Sequence, residues 1–113
     1  MSPPPLFKVT TSNDFAGHEI TDYLGIVRGI VVRATGIGRG IVGGLRSIAG
    51  GHIPEYAAVC EEARNHAYQL MLEHARQLGA HGVIAFRYDA TEFIQGATEV
   101  LAYGTAVKLR AKG

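Results

Sequence analysis

Cys60, Glu62, His66 and His81 carry the side chains best suited to a transition metal ion. Thiolate and imidazole are soft or borderline donors, whereas carboxylates alone favour Mg²⁺ or Ca²⁺. Glu62 and His66 stand four residues apart, a spacing that lets a carboxylate and an imidazole reach one ion from the same side of a helix. Two such ligands make only a weak, exchangeable site. Cys60 and His74 project from the same segment, but about 21 Å of helix would separate them, so they cannot share an ion within one chain. Each alone reads as a packed core residue or as a ligand across a subunit boundary. A tight site must therefore draw on different elements or different subunits. The single cysteine excludes both an intrachain disulfide framework and a CxxC zinc cage.

Arg28, Arg33, Arg39 and Arg46 form the second chemically distinctive group. Residues 23–54 contain no acid, whereas residues 55–99 carry seven acids against three arginines. Charge segregated in this way suits head-to-tail assembly, with the basic part of one subunit on Glu55, Glu61 or Glu62 of the next. The alternative is an anion site, in which guanidinium forks and glycine-freed backbone N–H groups hold a phosphate or carboxylate. Gly38, Gly40 and Gly43 also satisfy G-x-G-x-x-G, with Glu61 downstream. A dinucleotide fold needs more strands than this chain can supply, so close backbone packing is the better account.

A catalytic apparatus is not legible. The five histidines are scattered, with His18, His52 and His81 at expected element boundaries. No serine nucleophile motif accompanies them, and Cys60 sits on an apolar stripe rather than beside an activating charge. The expectation is a protein that is not an enzyme.

These groups must be positioned by a small number of elements. Residues 1–5 read as an extended lead-in, because Pro3, Pro4 and Pro5 cannot donate ladder hydrogen bonds. Residues 6–10 predict a short strand. Residues 19–35 predict one long strand from their β-branched density, with Gly25 and Gly29 placed for a bulge or bend. Residues 36–51 hold seven glycines and predict a tight loop and a weak helix over 39–49. Residues 54–78 predict a long amphipathic helix, opened by Pro54 and stopped at Gly79. Its expected core stripe is Cys60, Ala63, Ala67, Leu70, Met71, His74 and Leu78, with Glu55, Glu62, His66 and Glu73 opposite. Residues 82–94 and 99–110 predict two further strands joined by a short hairpin containing Gly96. The order is that of a two-layer α+β domain over residues 6–113, with the helix on an antiparallel sheet.

Bulk composition agrees with one globular domain. The chain has 113 residues, 47% hydrophobic and 19% charged, with 15 glycines and no tryptophan. A mean hydropathy of +0.10 is high for so short a soluble chain and predicts surface buried between subunits. A net charge of +1 announces neither a nucleic-acid nor a membrane partner. No apolar run approaches the ~20 residues of a membrane span. Three prolines stand where a signal peptide needs an apolar core, so a cytoplasmic location is expected.

The motifs together resemble one family. Tyr23-Leu24-Gly25-Ile26-Val27-Arg28-Gly29, Val32-Arg33 and Ile37-Gly38-Arg39 are similar to the opening of the YbjQ-like family, UPF0145, which carries a heavy-metal-binding label. Gly44-Leu45-Arg46, Ala63-Arg64, Leu78-Gly79-Ala80, Arg87-Tyr88-Asp89 and Tyr103-Gly104-Thr105-Ala106-Val107 continue the resemblance, which spans residues 9–108. It implies a dodecin-like β-α-β-β subunit and a ring, typically a homopentamer, with short extra strands joining neighbours. It brings no ligand set with it. His81 stands where many relatives have Asn and His52 where Arg is common, so neither is a defining family site. The expected function is that of an oligomeric, non-catalytic binding protein holding a metal ion or small ligand at subunit junctions. An anion or phosphorylated-metabolite binder and a purely structural ring are the alternatives.

Overall fold

The computed structural model describes residues 7–34 and 54–112. The lead-in, Arg39, Arg46, the G-x-G-x-x-G glycines and the expected helix over 39–49 lie outside the described residues. Among the described residues, four strands and one helix follow in the order β1 (Lys8–Val9), β2 (His18–Ala34), α1 (Pro54–Gln77), β3 (Gly82–Ile94) and β4 (Ala97–Ala111). The fold is α+β: the described residues place one helix on a four-stranded sheet of order β1-β3-β4-β2.

The sheet is mixed, which corrects the expected antiparallel arrangement. β2, β4 and β3 pair antiparallel, but β1 runs parallel to β3 through Lys8–Gly82 and Val9–Val83. A two-residue strand carries no readable period. Only its non-local pairing decides its direction.

Helix α1 starts on Pro54 and stops two residues before Gly79. Gly79 N–H donates to the Arg76 carbonyl and Ala80 N–H to the Ala75 carbonyl, the paired 5→2 and 6→1 bonds of a Schellman stop. Ala63, Ala67, Met71, Leu72 and Ala75 are buried against the sheet. The expected stripe holds at Ala63, Ala67 and Met71, with His74 half-buried, and fails at Cys60, Leu70 and Leu78, which are exposed.

Strand β2 meets the helix through Val27, Gly29 and Val31. The bulges fall between Ile20 and Asp22 and between Tyr23 and Gly25. Gly25 therefore bends the strand as expected, whereas Gly29 has another role: a side chain there would run into the backbone at Ala67. On the opposing β4, the small residues Ala102, Gly104 and Ala106 are buried under the helix. Small side chains let helix and sheet approach closely, and Met71, Val27 and Val83 fill the space between them.

Strand β3 is irregular near its start. Ala85 adopts φ 54°, a left-handed conformation uncommon outside glycine, within a register shift between Ile84 and Arg87. The loop after β1 holds this bulge in place: Ala85 N–H donates to the Ser12 carbonyl and Phe86 N–H to the Thr10 carbonyl. The extra residue turns Phe86 to the same side as Val83, into the core.

Candidate functional site

The candidate donors do not converge within one chain. Cys60, Glu62 and His66 are all exposed along the middle of α1. Glu62 and His66 share one flank, as their spacing requires, but Cys60 points about 120–160° away from them around the axis. His81 lies beyond the far end of the helix, with about 17 Å of axis between His66 and Gln77 alone. Among the described residues, no group of three or more His, Cys, Asp or Glu side chains could hold a metal ion. The described part of a single chain therefore does not fit a tight metal site.

The exposure of Cys60 also overturns its reading as a core residue. Its position continues the Ala63–Ala67–Met71 stripe one turn toward the N-terminus, yet its side chain is open there. Periodicity assigns a direction around the helix. It does not say how far the sheet beneath extends.

Two other features have partners within the chain. Arg33 approaches Glu62 of its own chain at 3.7 Å, where the expected acid belonged to a neighbour; the side chains are 40% and 74% exposed. An open pair of this kind contributes about 0–1 kcal/mol. His81 continues the β3–β4 ladder. Its backbone N–H donates to the Val107 carbonyl at 2.9 Å, and Leu109 N–H donates to its Nδ1 at 2.9 Å. The Leu109 carbonyl also lies 3.2 Å from Nδ1, so the other tautomer would find an acceptor on the same residue. In that tautomer Nε2 is left with a free lone pair for a metal.

Arg28 and Arg33 are five residues apart on one strand and face opposite sides of the sheet. The described part of the arginine group is therefore split rather than gathered. Arg28 is exposed on the outer face, while its backbone N–H donates to His74 Nδ1 at 3.2 Å across the edge of β2. That bond gives His74 a structural partner. A sequence reading had no means of finding it, since it joins residues 46 positions apart.

One cluster escaped the sequence reading altogether. Phe86 packs edge-on against Tyr68 at 5.4 Å and Tyr88 at 4.7 Å between ring centroids, and the Arg64 guanidinium lies 5.5 Å from the Tyr88 centroid. Burial, aided by nearby Tyr68 and Glu61, pushes the Tyr88 phenol above its ordinary value, while Arg64 opposes the shift. The signal was present as two aromatics at alternate positions of β3, but the bulge at Ala85 decides which side they face.

An α+β domain with an exposed, donor-bearing helix on a mixed sheet is the class of protein these features define. A family model described as "Putative heavy-metal-binding" matches residues 7–110. A UPF0145 protein of Legionella pneumophila strain Corby is 59% identical over 99 residues, covering 88% of this chain and 94% of the relative. UPF0145 proteins of Solibacter usitatus and Chromobacterium violaceum are 52% and 50% identical, each covering 90% of the relative. The chain belongs to the UPF0145 family. A crystal structure of a DUF74-family protein of unknown function from Pediococcus pentosaceus shares the fold, with a TM-score of 0.60 at 18% identity over 93% of this chain and 98% of that one. The quoted relatives carry no catalytic name. No helix among the described residues is long and apolar enough to cross a membrane.

Proposed function

We propose that this chain is a cytoplasmic, self-assembling, non-catalytic binding protein whose ligand sites are completed between subunits. The ligand is a transition metal ion, and the assembly is the dodecin-like homopentameric ring suggested by the family resemblance. One observation carries the reading: Cys60, Glu62 and His66 are exposed on α1, yet no three donors converge within the described chain. Soft and borderline donors displayed singly or in pairs can complete a coordination sphere when a second chain adds its own. His81 Nε2 is available to such a site in the tautomer whose Nδ1–H donates to Leu109.

Zn²⁺ and Cu²⁺ titrations of untagged protein test this, with Cys60→Ser, His66→Ala and His81→Ala variants alongside. Binding tighter than about millimolar, weakened in at least one variant and scaling with the assembled form, is the expected result. Affinity unchanged in all three variants, or no tighter than millimolar, overturns it.

One observation favours an anion instead. Arg33 Nε is buried without a hydrogen-bond partner among the described residues, and a buried unpaired donor costs about 1–3 kcal/mol. A phosphate or carboxylate accepting from Arg33 would relieve that cost. Phosphate at about 100 times its dissociation constant should then stabilise the fold by ~2.7 kcal/mol, an effect lost in Arg33→Ala. A melting temperature indifferent to phosphate removes this reading and leaves metal binding or a purely structural ring.

A further inference from the structure

Two histidines of this chain accept a backbone N–H through Nδ1, and each joins segments far apart in sequence. His74 of α1 accepts from Arg28 N–H of β2 at 3.2 Å, and His81 accepts from Leu109 N–H of β4 at 2.9 Å. A backbone N–H can only donate, so each bond requires an Nδ1 with its lone pair free. A neutral ring making this bond carries its proton on Nε2. An imidazolium holds a proton on both nitrogens and accepts nothing.

The two rings respond differently to that second proton. At His81 the Leu109 carbonyl lies 3.2 Å from the same Nδ1. Protonation there exchanges an accepted bond for a donated one, and the ring keeps its hold on β4. At His74, Nδ1 has the Arg28 N–H as its one partner among the described residues. That contact has a single form, and protonation removes it.

The place of the His74 bond gives it a consequence. β2 stands at the edge of the described sheet, and its Arg28 N–H points outward, where a further strand would otherwise pair. The half-buried His74 ring covers that donor. It also pins the second half of α1 to the sheet, one turn beyond Leu70 and Met71, which crowd Gly29. Charged neighbours are few. Arg28 is the only charged residue of β2 between Asp22 and Arg33, and its guanidinium lies on the outer face; Tyr23 is the other titratable group of that stretch. On β4, Ala102, Gly104 and Ala106 beneath the helix are uncharged, and Tyr103 faces outward with Arg28. Arg87 of β3 turns to the Thr11 carbonyl at 3.0 Å. One turn either way along α1, Leu70, Met71, Gln77 and Leu78 carry no charge, which leaves Glu73 and Arg76 on either side in sequence.

We infer that His74 is a proton-operated latch: neutral, it fastens α1 to the outward edge of β2 at Arg28; charged, it lets that edge go. The device needs neither a ligand nor a particular number of subunits. It is shut on the alkaline side of the His74 titration and opens as pH falls through it.

NMR on the full chain tests this. Long-range proton–nitrogen spectra report which nitrogen of His74 holds the proton and where the ring becomes charged. Amide exchange at Arg28, corrected for the intrinsic effect of pH, reports the latch itself. From the alkaline to the acid side of the His74 titration, Arg28 protection should fall about fivefold, the equilibrium factor of one net hydrogen bond. His74→Asn places a carbonyl oxygen at the reach of Nδ1, so Arg28 should stay protected and the step with pH should vanish. His74→Phe offers no acceptor, and protection should sit at the acid-side level throughout. A neutral ring with its proton on Nδ1 overturns the inference. So does Arg28 protection indifferent to the His74 titration, or a step of equal size in His74→Asn. If His74→Phe does not fold, wild type and His74→Asn decide on the same criteria.

Discussion

Gly29 of β2 lies directly beneath the Ala67 carbonyl of α1, closer than any side chain would allow. A Cβ there would meet the Ala67 oxygen first, then the Met71 nitrogen at 2.6 Å and Leu70 Cβ at 2.8 Å. The obstacles are mainly helix backbone, which cannot rotate aside. Gly29→Ala should therefore lift the helix and lose at least ~1–3 kcal/mol in urea denaturation, the cost of overpacking a tight core. Gly25→Ala meets nothing within 4 Å but must hold φ +108°. Its loss should be about 1–3 kcal/mol, from backbone strain rather than from contact. Full stability in Gly29→Ala would show that the helix does not sit this close.

His81 and Leu109 provide a second prediction. Removing the imidazole in His81→Ala leaves the part-buried Leu109 N–H without its acceptor. Stability should fall by about 1–2 kcal/mol in chemical denaturation. His81→Asn offers a carbonyl oxygen at a similar reach and should recover at least half of that loss. Equal losses in the two variants would show that the hydrogen bond is not what holds the end of β4.

At the same end of the sheet, Arg110 donates to Glu19 at 2.6 Å. That bond, with the nearby positive charge, holds the Glu19 carboxyl below its ordinary value of 4.5. A depressed folded value means that the stabilisation is present above about pH 4.5 and is lost as pH falls through the lower, folded one. Arg110→Ala should return the Glu19 titration, followed by NMR, toward 4.5. It should also flatten the acid limb of the stability curve. A Glu19 titration unmoved by Arg110→Ala would show that the pair does not persist in solution.

Tyr88 should ionise above the ordinary tyrosine value of 10.0, with burial as the main cause. Arg64 favours the phenolate, so Arg64→Ala should move the titration higher still. Ultraviolet difference spectra against pH report both values. A downward shift in Arg64→Ala would place the guanidinium away from the ring.

Much of the architecture was legible because long elements repeat a local signal many times. The helix beginning at Pro54 announces itself through a start residue, a stop glycine and a 3.6-residue period. The β2 segment does so through Ile20, Ile26, Ile30 and neighbouring valines. The strand Gly82–Ile94 follows the expected limits. Family membership was legible for a related reason, since motifs spread from Tyr23 to Val107 form a combination hard to meet by chance. The candidate site was less legible. The Glu62–His66 spacing correctly placed both on one flank, and both are exposed.

Tertiary structure decided what depends on distance between segments rather than on period within one. The parallel direction of β1 follows from pairing Val9 with Val83, a contact no local pattern encodes. Gly29 reads alone as a bend, and only the helix crossing above makes it a point of close approach. Cys60 has the periodic position of a core residue, but its burial depends on whether the sheet reaches beneath it. Glu62 could have answered an arginine of a neighbour, yet Arg33 of the same chain reaches it first. In each case the sequence by itself determined the direction of a side chain along its own element. The partner waiting in that direction was set by how the elements pack, because packing joins residues whose separation along the chain carries no repeating signal.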